Sequence, residues 1–418
     1  MAELIYEDGR LLFTKEMKEE YTILAPQMMP VHFKFLKHVF ESEGYKLEIL
    51  ETTHRAIVSE GLKYVHNDTC YPALLVTGQM IDAVKSGKYD PNKIALMIMQ
   101  TGGGCRASNY IHLIRKALQR AGLEHIPVIS LNLSGLEKNP GFELSISMIR
   151  CAIKSMVYGD MLMMLANQCR PYEVEEGSTD ALIDRWVEKL AAEFKVRGKM
   201  AEKNVRKNLE LIAEDFANLE VKRVPKVKVG IVGEIYVKFA PLGNNNLEDF
   251  LMAEGIEPVL PGVMDFFIFK IDNRIVDVNI YGGSRIKKIA ASVFKNYAKK
   301  YQRALIEVTS KYPQFRTPVD FEKIKELIDG YLGHGNKMGE GWLLPGEMLE
   351  LIHSGINNII CTQPFGCLPN HTTGKGMMKK IKEKHPEANI VAIDYDPGAT
   401  RINQENRIKL MLSNAKTK

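Results

Sequence analysis

Hydrophobic and polar positions change their period several times along this chain. Thr22-Ile-Leu-Ala-Pro is a short apolar run, Val31 to Glu43 carries apolar residues at helical spacing, and Lys46-Leu-Glu-Ile-Leu alternates. That order predicts strand, helix, strand. The rhythm continues with an apolar strand over Ile94 to Gln100, a helix from about Ala107 to Ala121, and a strand in Pro127-Val-Ile-Ser-Leu-Asn. Strands that alternate with helices predict a parallel, doubly wound sheet.

From about Phe142 to Leu219 the strand signals stop. Two long helical stretches replace them, the first rich in Met and the second, Asp180 to Leu219, heavily charged. A second strand series starts at Val227-Lys-Val-Gly-Ile-Val and resumes at Ile356-Asn-Asn-Ile-Ile and Asn389-Ile-Val-Ala-Ile-Asp, separated by helices near Arg285 to Ser310 and Phe321 to Leu332. The expectation is an α/β protein of two doubly wound, flavodoxin- or Rossmann-like parallel-sheet domains, 1–141 and 225–418, joined by a helical connector, 142–224. No internal sequence repeat and no low-complexity tract stands out.

The chain has 418 residues, 45% hydrophobic and 26% charged, which is enough apolar material for two cores. Its net charge of +5 is spread among intermixed acids and bases, so no nucleic-acid footprint is expected. The charged start, MAELIYEDGRLLFTKEMKEEY, lacks the apolar region of a signal peptide, and no window reaches the roughly 18 apolar residues of a membrane span. A soluble cytoplasmic protein without a membrane partner is the expectation.

Six cysteines then change the picture: Cys70, Cys105, Cys151, Cys169, Cys361 and Cys367. A chain of this size needs no disulfide staples, so free, buried or metal-bound thiols are expected. Cys105 ends Gln100-Thr-Gly-Gly-Gly-Cys directly after a predicted strand, where ligands of open α/β sheets bind. The glycines either let the backbone approach something bulky or simply make a flexible turn with an incidental Cys. Cys361 and Cys367 lie in Cys-Thr-Gln-Pro-Phe-Gly-Cys-Leu-Pro, a compact loop able to fold two thiolates to one side. Soft thiolates suit iron–sulfur clusters or zinc, and the absence of a CxxC pair favours the cluster. Cys70, in Asn67-Asp-Thr-Cys-Tyr-Pro, precedes a helix whose first turn holds Pro72, so the dipole favours its thiolate, as ligand or nucleophile.

Cys151 and Cys169 would be ~27 Å apart on an unbroken helix, too far for one shared cluster. Either the helix breaks, with Gly159 and the turn at Arg170-Pro171 as candidate places, or at least one of the pair is a buried structural Cys. Gly-Ile-Val-Gly-Glu after the Val227 strand lacks the third glycine of a dinucleotide fingerprint, and Thr373-Gly-Lys-Gly lacks the frame of a phosphate loop. No nucleotide is therefore expected on this chain. His66 and His371 each stand four residues from a cysteine, as ligands, electrostatic neighbours or surface residues. No general acid or base stands out.

These motifs resemble the 2-hydroxyacyl-CoA dehydratase superfamily over nearly the whole chain. The similar blocks are Asn67-Asp-Thr-Cys-Tyr-Pro, Thr101-Gly-Gly-Gly-Cys-Arg, Tyr158-Gly-Asp, Arg170-Pro-Tyr-Glu, Gly339-Glu-Gly-Trp, Gln363-Pro-Phe-Gly-Cys-Leu-Pro and Asp394-Tyr-Asp-Pro-Gly. The resemblance implies one four-iron cluster on three cysteines, matching Cys70, Cys105 and one of Cys361 or Cys367. With six cysteines the chain looks most like the double-cubane branch, in which all six would ligate two sulfide-bridged four-iron cubanes. Electrons would come from a separate ATP-hydrolysing iron–sulfur activator and reduce a small molecule, in a protein that the family implies is a homodimer. The alternatives are a dehydratase subunit with a single four-iron cluster and a non-catalytic electron-transfer protein.

Overall fold

The computed structural model describes residues 4–132, 135–194 and 202–415. A small antiparallel hairpin of β1 (Tyr6–Glu7) and β2 (Arg10–Leu11) opens the chain. Strands β3 (Thr22–Pro26), β4 (Lys46–Leu50), β5 (Ile94–Met99) and β6 (Val128–Leu131) then form a parallel sheet in the order β4-β3-β5-β6. β5, Ile-Ala-Leu-Met-Ile-Met, is apolar at every position because helices cover both faces of such a sheet. A second parallel sheet holds β7 (Lys228–Gly233), β8 (Glu257–Val259), β9 (Asn358–Pro364) and β10 (Asn389–Tyr395) in the order β10-β9-β7-β8. The chain is thus α/β with two parallel sheets, as its pattern predicts.

Counted within each half, both sheets run second, first, third, fourth strand. The architecture is duplicated although no sequence repeat is visible. In both, the order reverses between the first and third strands, β3 and β5 in one half, β7 and β9 in the other. The ends of these strands are the switch points where α/β sheets bind ligands.

Between the sheets in sequence lie the helices Ile146–Cys169, Ser178–Phe194 and Glu202–Ala217. Ser145 starts the first, its hydroxyl accepting the Met148 N–H at 3.0 Å, and from Val157 to Cys169 every residue is buried. The core is continuous through this helix into both halves.

The helix Ile146–Cys169 passes through Gly159 without a break and ends at the Arg170–Tyr172 turn. The role of Gly159 is close approach, since a Cβ there would meet His32 Cδ2 at 2.3 Å. That room lets His32 Nε2 donate to Asp160 Oδ1 at 2.9 Å. Asp160 also accepts the Val263 and Met264 N–H groups at 2.8 and 2.9 Å. It therefore caps the helix Val263–Tyr281 of the other half, whose own N-cap, Gly262, has no side chain to do so. Tyr158-Gly-Asp is a structural joint.

Candidate metal centre

Three cysteines occupy the same local position, the N-cap of a helix. Cys70 precedes the helix Tyr71–Lys85, Cys105 the short 3₁₀ turn Arg106–Ser108, and Cys367 the helix Leu368–Thr373. Each sulfur faces a backbone N–H of its own first turn: Ala73 for Cys70, Ala107 for Cys105, Asn370 for Cys367. The sequence permits this because Pro72 and Pro369 sit within the first turn, where a missing N–H costs nothing. Such N–H groups and the dipoles behind them favour thiolate over thiol.

The three loops close a ring across the two halves. The Tyr71 N–H donates to the Phe365 carbonyl at 2.9 Å, and a Cβ on Gly366 would lie 3.1 Å from Cys70 Cα. Gly366 holds φ +71°, a conformation only glycine adopts freely, so backbone meets backbone here. A Cβ on Gly104 would meet the Met338 sulfur at 2.6 Å, and one on Gly339 would meet Pro369 at 2.9 Å. Cys70 Sγ and Tyr110 Oη share a hydrogen bond of 3.0 Å, tying the first loop to the helix that follows the second. Cys105 lies near enough to both Cys70 and Cys367 for its charge to disfavour theirs.

Burial pushes the Cys70 thiol up to about 11, against the Tyr110 and Ala73 hydrogen bonds, and raises Cys105 and Cys367 as well. Buried thiols of this kind ionise only when a cation takes the charge, which is what ligation supplies. Among the described residues, no three His, Cys, Asp or Glu side chains form a group that could hold a metal ion. A cluster asks for something different from one ion, thiolates spread around a body of several metal atoms. Three converging soft donors with N–H groups on their sulfurs fit that demand.

The other three cysteines lie elsewhere. Cys151 and Cys169 stand eighteen residues apart on the unbroken helix, ~27 Å by its rise. Cys151 faces Lys154, Glu43 and Arg150, whereas Cys169 donates weakly to the Phe216 carbonyl at 3.9 Å. Cys361 is fully buried within β9, and burial lifts it to about 12 with Asp394 and Glu347 adding to the rise. The helix break on which six-fold ligation depends is not there. His66 and His371 are exposed.

Sequence reading missed three charged residues beside the thiols. Glu234, directly after β7, is pushed up to about 8 by burial and by the charge of Glu340. Glu340 Oε1 accepts the Ile235 N–H at 3.1 Å. Lys270 donates to the Gly339 carbonyl and is lowered by burial, with Glu340 and Cys105 opposing. An acid at a switch-point strand end was the available signal for Glu234, and Gly339-Glu-Gly-Trp, which bends through positive φ at both glycines, for Glu340. A cleft of about 290 Å³ opens at the far end of the helix Ile235–Phe239, lined by Met29, Asn167, Arg170, Phe239, Asn244 and Glu248 among others.

No family model matches the chain, and no curated protein matches it in sequence. Among the described residues no helix is long and apolar enough to cross a membrane.

Proposed function

We propose that this chain is an iron–sulfur protein in which Cys70, Cys105 and Cys367 hold one cluster at the junction of the two α/β halves. It would take low-potential electrons from a separate ATP-hydrolysing activator and pass them to a small molecule, with one cluster on three cysteines as in a 2-hydroxyacyl-CoA dehydratase subunit. The observation that carries the reading is the convergence of three cysteine N-caps, each with an N–H on its sulfur. When bound, such a cluster supplies one-electron reduction at low potential. The residues do the rest: Tyr110 and the three N–H groups orient and stabilise the thiolates, and the burial of Cys70 and Cys367 keeps water from their sulfurs. A reducing cytoplasm, where thiols stay free, suits all six cysteines.

A double-cubane reductase is the second reading, favoured by the count of six cysteines. It asks for Cys151, Cys169 and Cys361 at the same place, and their positions support it less. Anaerobic purification with iron and acid-labile sulfide analysis separates the two. One cluster gives about four irons per chain and a double cubane about eight. Cys70→Ser, Cys105→Ser and Cys367→Ser should each lose the cluster, whereas Cys151→Ser and Cys169→Ser should keep it. Full iron retention in any of the first three variants would sink the assignment.

A further inference from the structure

Gln363 is fully buried, and among the described residues it is the one carboxamide whose two polar atoms, Nε2 and Oε1, both lack a hydrogen-bond partner. Ile359 and Cys361, the residues four and two before it on β9, bring no strong hydrogen-bonding group to its face. A buried amide left unbonded is costly where an aliphatic side chain is not. Such a group calls for a partner that the chain alone does not supply.

The strand register places this side chain on the thiol side of the second sheet. A Cβ on Gly230 would meet Leu351 Cδ1 at 2.5 Å, so that face of β7 looks to the helix Leu343–His353. Gly230 pairs with Ile359, and alternation along β9 puts Cys361 and Gln363 on the same face. Glu340 stands just before that helix, near enough to Cys105 and Cys367 for both thiols to feel its charge. The Cys367 N–H donates to the Pro364 carbonyl at 3.3 Å, a turn that returns the chain to within about 7 Å of the residue after Gln363. Asn370 Nδ2 donates to the Thr362 carbonyl at 3.4 Å. The short helix that Cys367 caps is thus tied to the residues on both sides of Gln363.

We propose that Gln363 is a positioning residue of the cluster, its Nε2–H donating to a cluster sulfur. The inference rests on the cluster reading above. A sulfide accepts a hydrogen bond and donates none, so the amide turns its nitrogen end to it. Reduction adds negative charge to the sulfurs, and a hydrogen bond there stabilises the reduced form and raises the midpoint potential. A neutral donor does this without adding charge to a site that already gathers three thiolates.

Gln363→Leu tests this with and without iron. In metal-free protein the change removes two orphaned polar atoms, so its urea midpoint should lie above that of wild type. With iron bound, that advantage should shrink, because the wild-type amide has gained its bond. Redox titration followed by electron paramagnetic resonance should show a lower midpoint potential in Gln363→Leu at equal iron content. Electron–nuclear double resonance should show the loss of one exchangeable proton coupled to the cluster. Thr362→Val removes a buried hydroxyl from the opposite face of the same strand, and its potential should match that of wild type. An unchanged potential in Gln363→Leu, or an equal fall in Thr362→Val, overturns the proposal. So does a metal-free Gln363→Leu protein no more stable than wild type. Should Gln363→Leu not fold, Gln363→Met, of similar length and without a donor, takes its place in each comparison. Wild-type protein that binds no iron overturns the cluster reading itself, whereas iron-loaded protein whose potential ignores residue 363 overturns this inference alone.

Discussion

Replacing Gly159 with alanine reverses the usual rule for glycine in a helix. Helix propensity alone predicts a gain of about 1 kcal/mol. The new methyl, however, would lie 2.3 Å from His32 Cδ2, 2.6 Å from Cγ and 2.7 Å from Nε2. Those three atoms belong to one ring, so the ring must leave and the His32–Asp160 hydrogen bond goes with it. Overpacking costs about 1–3 kcal/mol, and a hydrogen bond to a charged group contributes about 1.5–3 kcal/mol. Set against the propensity gain, the net loss is roughly 1.5–5 kcal/mol. Urea unfolding followed by fluorescence of the buried Trp186 and Trp342 reads it directly. In a His32→Ala background most of the Gly159→Ala penalty should disappear, giving a coupling energy of similar size. A Gly159→Ala protein more stable than wild type would refute the reasoning.

Gly366→Ala should destabilise by more than the ~1–2 kcal/mol of its left-handed conformation and reduce bound iron. Gly87→Ala, with φ +76° and open space around it, should show the conformational cost alone and keep its iron. Glu347→Gln leaves the buried Lys238 ammonium without its counter-charge and should cost about 3–5 kcal/mol in urea unfolding. Cys361→Ser should lose about 1–3 kcal/mol for a buried hydroxyl without a partner, with iron content unchanged. Glu234 gives stability a downward slope with pH. Its folded value is raised by burial and Glu340, so the unfolded chain ionises first, from about 4.3 upward, and the penalty grows until pH passes about 8. The stability advantage of Glu234→Gln over wild type should therefore be larger at the upper end of that window than below it, and an equal advantage at both ends would contradict the assignment.

Most strands were legible because parallel-sheet strands are short apolar runs: Ile94–Met99 and Asn389–Tyr395 lie within a residue of where their patterns place them. β8 escaped because three residues, Glu257-Pro-Val, carry no period, and the buried Glu257 is compensated only in three dimensions, by Tyr172 Oη at 2.6 Å. Cys70 was readable as a helix cap from Pro72. Cys105 and Cys367 were readable only as cysteines in turns, since what distinguishes them is an N–H aimed at sulfur. Cys361 looked the equal of Cys367 in sequence, yet it lies inside β9, a strand buried on both faces. Gly159 is only a candidate break in the sequence because a glycine needed for a neighbour's ring looks, in one dimension, like a glycine that weakens a helix.

The long helix Ile146–Cys169 has a mechanical consequence. It spans ~36 Å, and both halves grip its latter part, from Asp160 to Gln168: His32 from the first, then Val263, Glu248, Thr309 and Arg316 from the second. A hinge that swung the halves apart would have to tear one set of grips from this strut. The gap that separates the two sheets is thus a fixed dimension of the molecule, and traffic to the thiols is left to the exposed Gly102–Gly104 turn and the Met338 loop packed against it.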